Sequence, residues 1–438
     1  MKEPNINTMF QYKNSSSDYY IVKKYICIKR LLTIIAPLVF LSTYNSLYAA
    51  LDLADAPLNL KTGAGANVLF NMSVETPMGG GAYNDAPGSI PGCTGRKSIS
   101  GIGNNLGTCY FPNFSYFGYF DPEKCYSYSS NRFNPTDNTS ADHSCDDGQS
   151  GRWSGNFLNW ASMTAIDTYI STMTGGRRIV DTTTQTVIER SLAFVAGYAF
   201  HTKAIGNSVT NSSSSVPLES VTPFSNSWAR IVQVNNTSTF RMEFSGGGNS
   251  TYNARLEVCK VNTALKNNGL ENYCIARTNG TVDYYKPEGL IQRNDTKMRF
   301  GVMAYTTDNS NTRQGGVLRS NMKYVGPDLG TGVANPNKEY HENGLQITNP
   351  DSASSGNSGV INYINKFAVL AGGYKVYDPV SELFYEASRF YRGLTPTPST
   401  YSGLSTSNNG GFPIITSWED PIQYECQQNF MVAINDAF

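Results

Sequence analysis

Between Trp153 and Arg190 the chain reads WSGNFLNWASMTAIDTYISTMTGGRRIVDTTTQTVIER, the stretch that restricts the backbone most. Phe157, Trp160, Ala161, Thr164, Tyr169 and Ile170 recur mostly at three- to four-residue spacing, which puts them near one face of a helix. Ser154 stands where an N-cap is needed. Gly175-Gly176 stops the run, because glycine enters the left-handed C′ conformation without a Cβ clash. A polar loop follows from Asp181, and a second helix is expected from about Gln185 to Phe200. On pattern alone this is a buried helix followed by a loop.

The chain has 438 residues and a formal net charge of zero, so no global field draws it to nucleic acid or anionic lipid. His143, His201 and His341 lie in separate segments and form no HExxH motif. There is no GxSxG elbow and no phosphate-binding loop signature. The acidic stretch from Asp137 to Asp147 misses the EF-hand spacing and reads as a solvated loop. No pattern argues for an enzyme.

The N-terminus points to export. Lys23, Lys24, Lys29 and Arg30 precede a mostly apolar run of eleven, Leu31 to Leu41, and Ala49-Ala50 closes the segment. That order is the one of a secretory signal, expected over residues 1–50. An uncleaved anchor is the competing reading, although a span needs about 20 apolar residues. Cysteine usage agrees with an oxidising compartment. Cys93/Cys109, Cys125/Cys145 and Cys259/Cys274 are each 15 to 20 positions apart, so local loop-closing disulfides are the simple expectation. Other pairings stay open, and Cys426 is left over.

Three apolar runs read as buried strands: Asn67–Phe70, Met298–Tyr305 and Asn429–Ile434. Helices are expected at Val360–Phe367 and from Asp378-Pro379, with aspartate as N-cap and proline at the first helical position. Residues 79–152 read as an insertion stapled by cysteines, whose dense aromatics make its own core rather than an exposed binding surface. Residues 203–290 read as a second insertion; alternation at Val232/Val234, Phe240/Met242/Phe244 and Leu256/Val258 predicts short strands there. The order strand, helix, helix, strand, helix, strand fits a doubly wound α/β sheet with insertions. The chain stops two residues after Asp436, directly after a strand, and is therefore expected to be a fragment or a truncated product.

Seven blocks in order carry a resemblance. They are YFGYFDPEKCYSY from Tyr116, WSGNFLNWASMTAID from Trp153, GGRRIVDTTTQTVIER from Gly175, RFGVMAY from Arg299 with GGVLRSNMKYVG from Gly315, GVINYINKF from Gly359, YDPVSELFYEASRFYRGL from Tyr377, and FPIITSWEDPIQYECQQNFMVAINDA from Phe412. Together they resemble the PilC/PilY family of type IV pilus biogenesis proteins and tip-associated adhesins. The resemblance implies a signal peptide, a von Willebrand factor type A-like α/β domain, here residues 51–438 with its sheet incomplete at the C-terminus, and a C-terminal β-propeller that this chain lacks.

Type A domains hold a divalent cation through Asp-x-Ser-x-Ser after the first strand, completed by a threonine and an aspartate from other loops. Counted from Asn67, that aspartate falls on Ser73 and the serines on Glu75 and Pro77; another register gives Asn71, Ser73 and Glu75. Asp181-Thr182 and Asp436 sit in loops matching the remaining ligands. The implied site is a degenerate one for Ca²⁺ or Mg²⁺, with Ser73, Glu75, Thr182 and Asp436 as candidates. The implied role is pilus biogenesis and adhesion without catalysis. The implied partners are pilus subunits and a host or abiotic surface, and the implied place is the cell surface, pilus tip or outer membrane. The rival readings are a secreted carbohydrate-active enzyme with a tyrosine-rich sugar platform, and a non-functional truncated product.

Overall fold

A computed structural model describes residues 65–84, 109–145, 151–195, 199–206, 216–278, 280–281, 283–309 and 313–435. The signal segment, Cys93 and Asp436 lie outside these residues. Along the chain the strands are β1 (Ala66–Met72), β2 (Lys124–Ser129), β3 (Arg132–Asn138) and β4 (Trp153–Ser154). Helices α1 (Gly155–Ser162) and α2 (Ala165–Thr174) follow, then β5 (Arg178–Asp181), β6 (Thr186–Glu189) and β7 (Lys203–Ile205). A short α3 (Leu218–Val221) leads to β8 (Ala229–Gln233), β9 (Thr239–Phe244), β10 (Asn249–Asn253), β11 (Arg255–Val258), β12 (Cys274–Thr278) and β13 (Asp283–Pro287). The last part holds α4 (Leu290–Arg293), β14 (Met298–Ala304), β15 (Val317–Lys323), α5 (Val360–Ala371), α6 (Val380–Tyr391) and β16 (Asn429–Ile434).

The three apolar runs come together in one sheet of order β15-β14-β1-β16. β1 runs parallel to β14, from Ala66↔Met298 to Met72↔Ala304, and parallel to β16, from Asn67↔Asn429 to Met72↔Ile434. β15 turns back antiparallel on β14. Near-continuous apolar sequence is what a central parallel strand needs, since both of its faces are covered. Helix α5 packs on β14 and β15, α6 packs on β1 and β14, and α2 packs against α5. Among the described residues no helix is long and apolar enough to cross a membrane.

Three further sheets, β4-β2-β3-β11-β6-β5, β10-β9-β8-β7 and the hairpin β12-β13, are built by the residues expected to be insertions together with β4, β5 and β6 from the stretch between them. Phe133 is the hinge pin of this part. Its ring stacks on Phe240 of the facing sheet at 6.4 Å and meets Phe120, Trp153 and Tyr128 edge-on at 5.3, 5.6 and 4.8 Å. Tyr110, Tyr116, Tyr119, Phe120 and Tyr126 are buried with it, while Phe114 and Phe117 stay exposed. The buried rings do not form the separate core expected of a stapled insertion: Tyr110 packs on Phe157 and Trp160, and the aromatics share one core with the main sheet. Cys125–Cys145 and Cys259–Cys274 are disulfides. Cys109 is also disulfide-bonded, and Cys426 is free and exposed.

Four expectations need correction. Asn429–Ile434 is a strand but not a buried one: β16 is an edge of the sheet, and Phe430, Met431 and Val432 on it are exposed. The organising helix is two helices. Ser154 caps α1 as expected, accepting from Phe157 N at 3.3 Å, but Met163 is extended and Thr164 caps α2 by accepting from Asp167 N. Thr164 and Asp167 carry the spacing of a capping box inside the periodic stretch, and the apolar period hid it. The kinked backbone is used: Ala82 N donates to Met163 O and Ala165 N donates to Gly80 O, so the chain after β1 threads onto the break.

The helix expected from Gln185 to Phe200 is absent. Thr186–Glu189 is β6, paired antiparallel with β5 and β11. β-Branched Thr186, Val187 and Ile188 pack better on a pleated surface than against a preceding helical turn. Lastly, α6 begins at Val380 with Pro379 as its N-cap, and no side chain closes that cap. Asp378 instead accepts a hydrogen bond from the Tyr305 hydroxyl at 2.8 Å.

Candidate functional site at the carboxyl ends of the parallel strands

Because β1, β14 and β16 are parallel, their carboxyl ends emerge at one edge of the sheet, where open α/β sheets place ligand sites. After β1 the chain stays pinned. Ser73 N donates to Ile434 O at 3.0 Å, Lys375 N donates to Val74 O at 2.8 Å, and Thr76 N donates to Lys375 O at 3.0 Å. Glu75 and Lys375 thus form a parallel bridge, and the segment before α6 acts as a short extra strand beside the β1 end. Ser73 and Glu75 are both buried, and the Ser73 hydroxyl donates to Glu75 Oε1.

The loop after β14 closes the other side. Burial pushes the Tyr305 hydroxyl well up, and its hydrogen bond to Asp378 and the charges of Asp378, Glu75 and Glu382 push the same way, so it remains a donor. Lys375 is buried, and its ammonium donates to the Asp308 carbonyl. Burial lowers its pKa, Asp308 opposes that, and Arg313 adds to it. Arg313 in turn pairs with the Asp308 carboxylate at 2.7 Å. Above this polar floor Val376 and Tyr377 stand out, 60% and 48% exposed.

The candidate ligands are not gathered in one place. Ser73 and Glu75 meet. Thr182 lies in the turn between β5 and β6, in the six-stranded sheet, where its hydroxyl accepts from Gln185 N at 3.0 Å. That turn borders a groove of about 260 Å³ with Glu257, Tyr284 and Tyr285. Asp181 beside it is committed to the fold. It takes Lys286 Nζ at 2.7 Å, Arg178 at 3.1 and 3.2 Å and Gln346 N at 2.9 Å. Burial alone would raise its pKa, but the Arg178 and Lys286 charges outweigh that and hold the carboxyl below the usual range.

A calcium ion takes six to eight oxygen ligands and magnesium near-ideal octahedral ones. Ser73 and Glu75 supply two side chains that already satisfy each other, so the described residues fit a divalent cation incompletely, and no step below is routed through one. The one described cluster of three metal-type side chains is Cys259, Glu271 and Cys274, and its two sulfurs are joined to each other. Sequence reasoning missed Lys375 and Tyr305 and took Asp378 for a helix cap. The signal was thin: a lysine in Gly372-Gly373-Tyr374-Lys375, and a tyrosine ending a strand.

Comparison with known proteins gives the lineage. Residues 107–258, which hold most of the stapled and β-rich part, match a family described as PilY1 homolog, small alpha/beta domain. A type IV pilus biogenesis factor PilY1 homolog of Xylella fastidiosa (strain Temecula1) is 33% identical over 83% of this chain and 33% of its own length. A second protein of the same name and strain is 26% identical over 75% of this chain and 24% of its own length. The chain therefore spans a third or less of the length of these relatives. No solved structure matches. Over most of its length the chain is thus similar to PilY1 homologs, as the seven blocks of its sequence implied.

Proposed function

We propose that this chain works in type IV pilus biogenesis and surface adhesion as an exported binding module, with pilus subunits and a host or abiotic surface as its partners. The observation that carries the reading is its relation, over most of its length, to two proteins named as pilus biogenesis factors. The order β15-β14-β1-β16, with β1 central and an antiparallel edge at β15, supports reading the main sheet as von Willebrand factor type A-like. The disulfides support an oxidising, extracytoplasmic destination. Contact is assigned to the loops at the carboxyl ends of β1, β14 and β16, where Val376 and Tyr377 are exposed over buried Glu75 and Lys375. The role is recognition and assembly, not catalysis.

The test is deletion of the gene in its host, with surface pili counted by electron microscopy and adhesion measured separately. Loss of both, restored by the intact gene, is the expected result; unchanged piliation and adhesion overturns the reading. Val376→Asp with Tyr377→Ala then separates the two roles: pili persist and adhesion falls.

A further inference from the structure

β15 is an edge strand, and an edge strand leaves outward N–H and C=O groups without a ladder partner. The first half of its outer edge is already used by the chain itself. Leu318 and Ile415 form an antiparallel bridge, with Ile415 N donating to Leu318 O at 2.9 Å. In that antiparallel sense the residues before Ile415 face Ser320 onward, and Pro413, opposite Ser320, has no N–H with which to extend the ladder. Along the second half, among the described residues, no strand pairs with the outer side of Ser320–Lys323.

That uncovered half borders a groove of about 660 Å³. Its size falls within the roughly 300–1,000 Å³ of ligand sites. Ile415, Glu419, Gln423, Asn337 and Ala353 line it together with the strand. Its two cations are already neutralised or fully used. Lys323 pairs with Glu339 at 3.1 Å and with Asp351. Arg299 donates to Asn67 Oδ1, Pro421 O and Met322 O at 3.0, 2.8 and 2.7 Å. Asn321 Oδ1 is buried at the groove with no donor. Glu419, exposed at the rim, makes no ion pair among the described residues.

We infer that this groove takes an extended polypeptide strand from a partner protein. The strand adds antiparallel to β15 beside Ser320–Lys323, where the line of residues 413–415 stops. The chemistry matches that occupant. A peptide's main chain pairs with the strand edge, while Ile415 and Ala353 in the lining offer apolar contact to alternate side chains. A lysine or arginine in the peptide answers Glu419. This inference is independent of the pilus reading, because it rests on the strand edge and the groove beside it.

The experiment is selection of a displayed library of random peptides, each about 12 residues long at ~3.3 Å per residue, on the purified chain. Selected peptides are then measured by fluorescence anisotropy and amide hydrogen exchange. The expected result is peptides with alternating apolar residues and a basic residue, whose binding slows exchange of amides 320–324. Ala353→Trp, which fills the groove from a surface loop, weakens binding by about tenfold or more. Glu419→Lys reverses the charge preference. Failure to select any peptide overturns the inference, as does binding that leaves amides 320–324 unprotected or is unchanged in Ala353→Trp.

Discussion

Asp181 separates a structural carboxylate from a ligand carboxylate, and its replacement by asparagine is a direct probe. The side chain ties the β5–β6 turn to β13 through Lys286 and to the 344–346 segment through Gln346 N and Arg178. Asparagine keeps the size and one acceptor oxygen but removes the charge. Lys286, whose ammonium also donates to Thr182 O and to Thr186 Oγ1 at 2.9 Å, then stays buried beside Arg178 without a counter-charge. Breaking a buried pair from one side costs about 3–5 kcal/mol. That is a large share of the roughly 5–15 kcal/mol by which domains are stable.

Urea unfolding followed by tryptophan fluorescence reads this as a fall in the midpoint with an unchanged slope. The pH dependence carries the sign. The folded carboxyl titrates below its unfolded value of about 3.9, so its stabilisation is present above that pH and is lost as pH falls through the folded pKa. Asp181→Asn removes this part of the acid limb of the stability curve. Lys286→Met in the same background recovers part of the loss, because one of the two buried cations left without a counter-charge is removed; Arg178 stays, held by Gly344 O and Pro287 O. If Asp181→Asn lies within about 0.5 kcal/mol of wild type, with an unaltered acid limb, the network reasoning is refuted.

Thr164→Ala removes the cap of α2 and should lower stability by about 0.5–2 kcal/mol in the same urea assay; no loss means that the break at Met163 is set by other contacts. Phe133→Ala should cost about 3–5 kcal/mol, since it empties the contact between two sheets, and near-UV circular dichroism should report the disturbed aromatic packing. Millimolar Ca²⁺ or Mg²⁺ should leave the thermal midpoint unchanged, because Ser73 and Glu75 satisfy one another. A midpoint that rises with cation and fails to rise in Glu75→Ala would establish a completed site.

The site was legible in part. The apolar runs that become β1, β14 and β16 end in polar residues, so a functional edge at Ser73–Glu75 follows from sequence once the strands are parallel. Lys375 and Asp378 were not legible there. Their place depends on the segment before α6 folding back beside Val74, a contact across some 300 positions of chain that no local pattern encodes. Thr182 shows the reverse. A loop of suitable composition reads as a ligand loop until the sheet in which its strands pair is known.

What the sequence determined by itself was local chemistry. The buried strands β1 and β14 follow from continuous apolar runs and the end of α2 from Gly175 at φ 80°, while Cys125–Cys145 and Cys259–Cys274 are the simplest of the pairings the sequence left open. The tertiary structure decided what depends on partners. Thr186–Ile188 became a strand because β5 and β11 lie on either side of it, and the helical period from Phe157 to Ile170 broke where residues 80–82 bind its backbone. Strand order, and with it the half-covered edge of β15, is set by which surfaces bury one another, and burial is a property of the folded chain rather than of any segment in it.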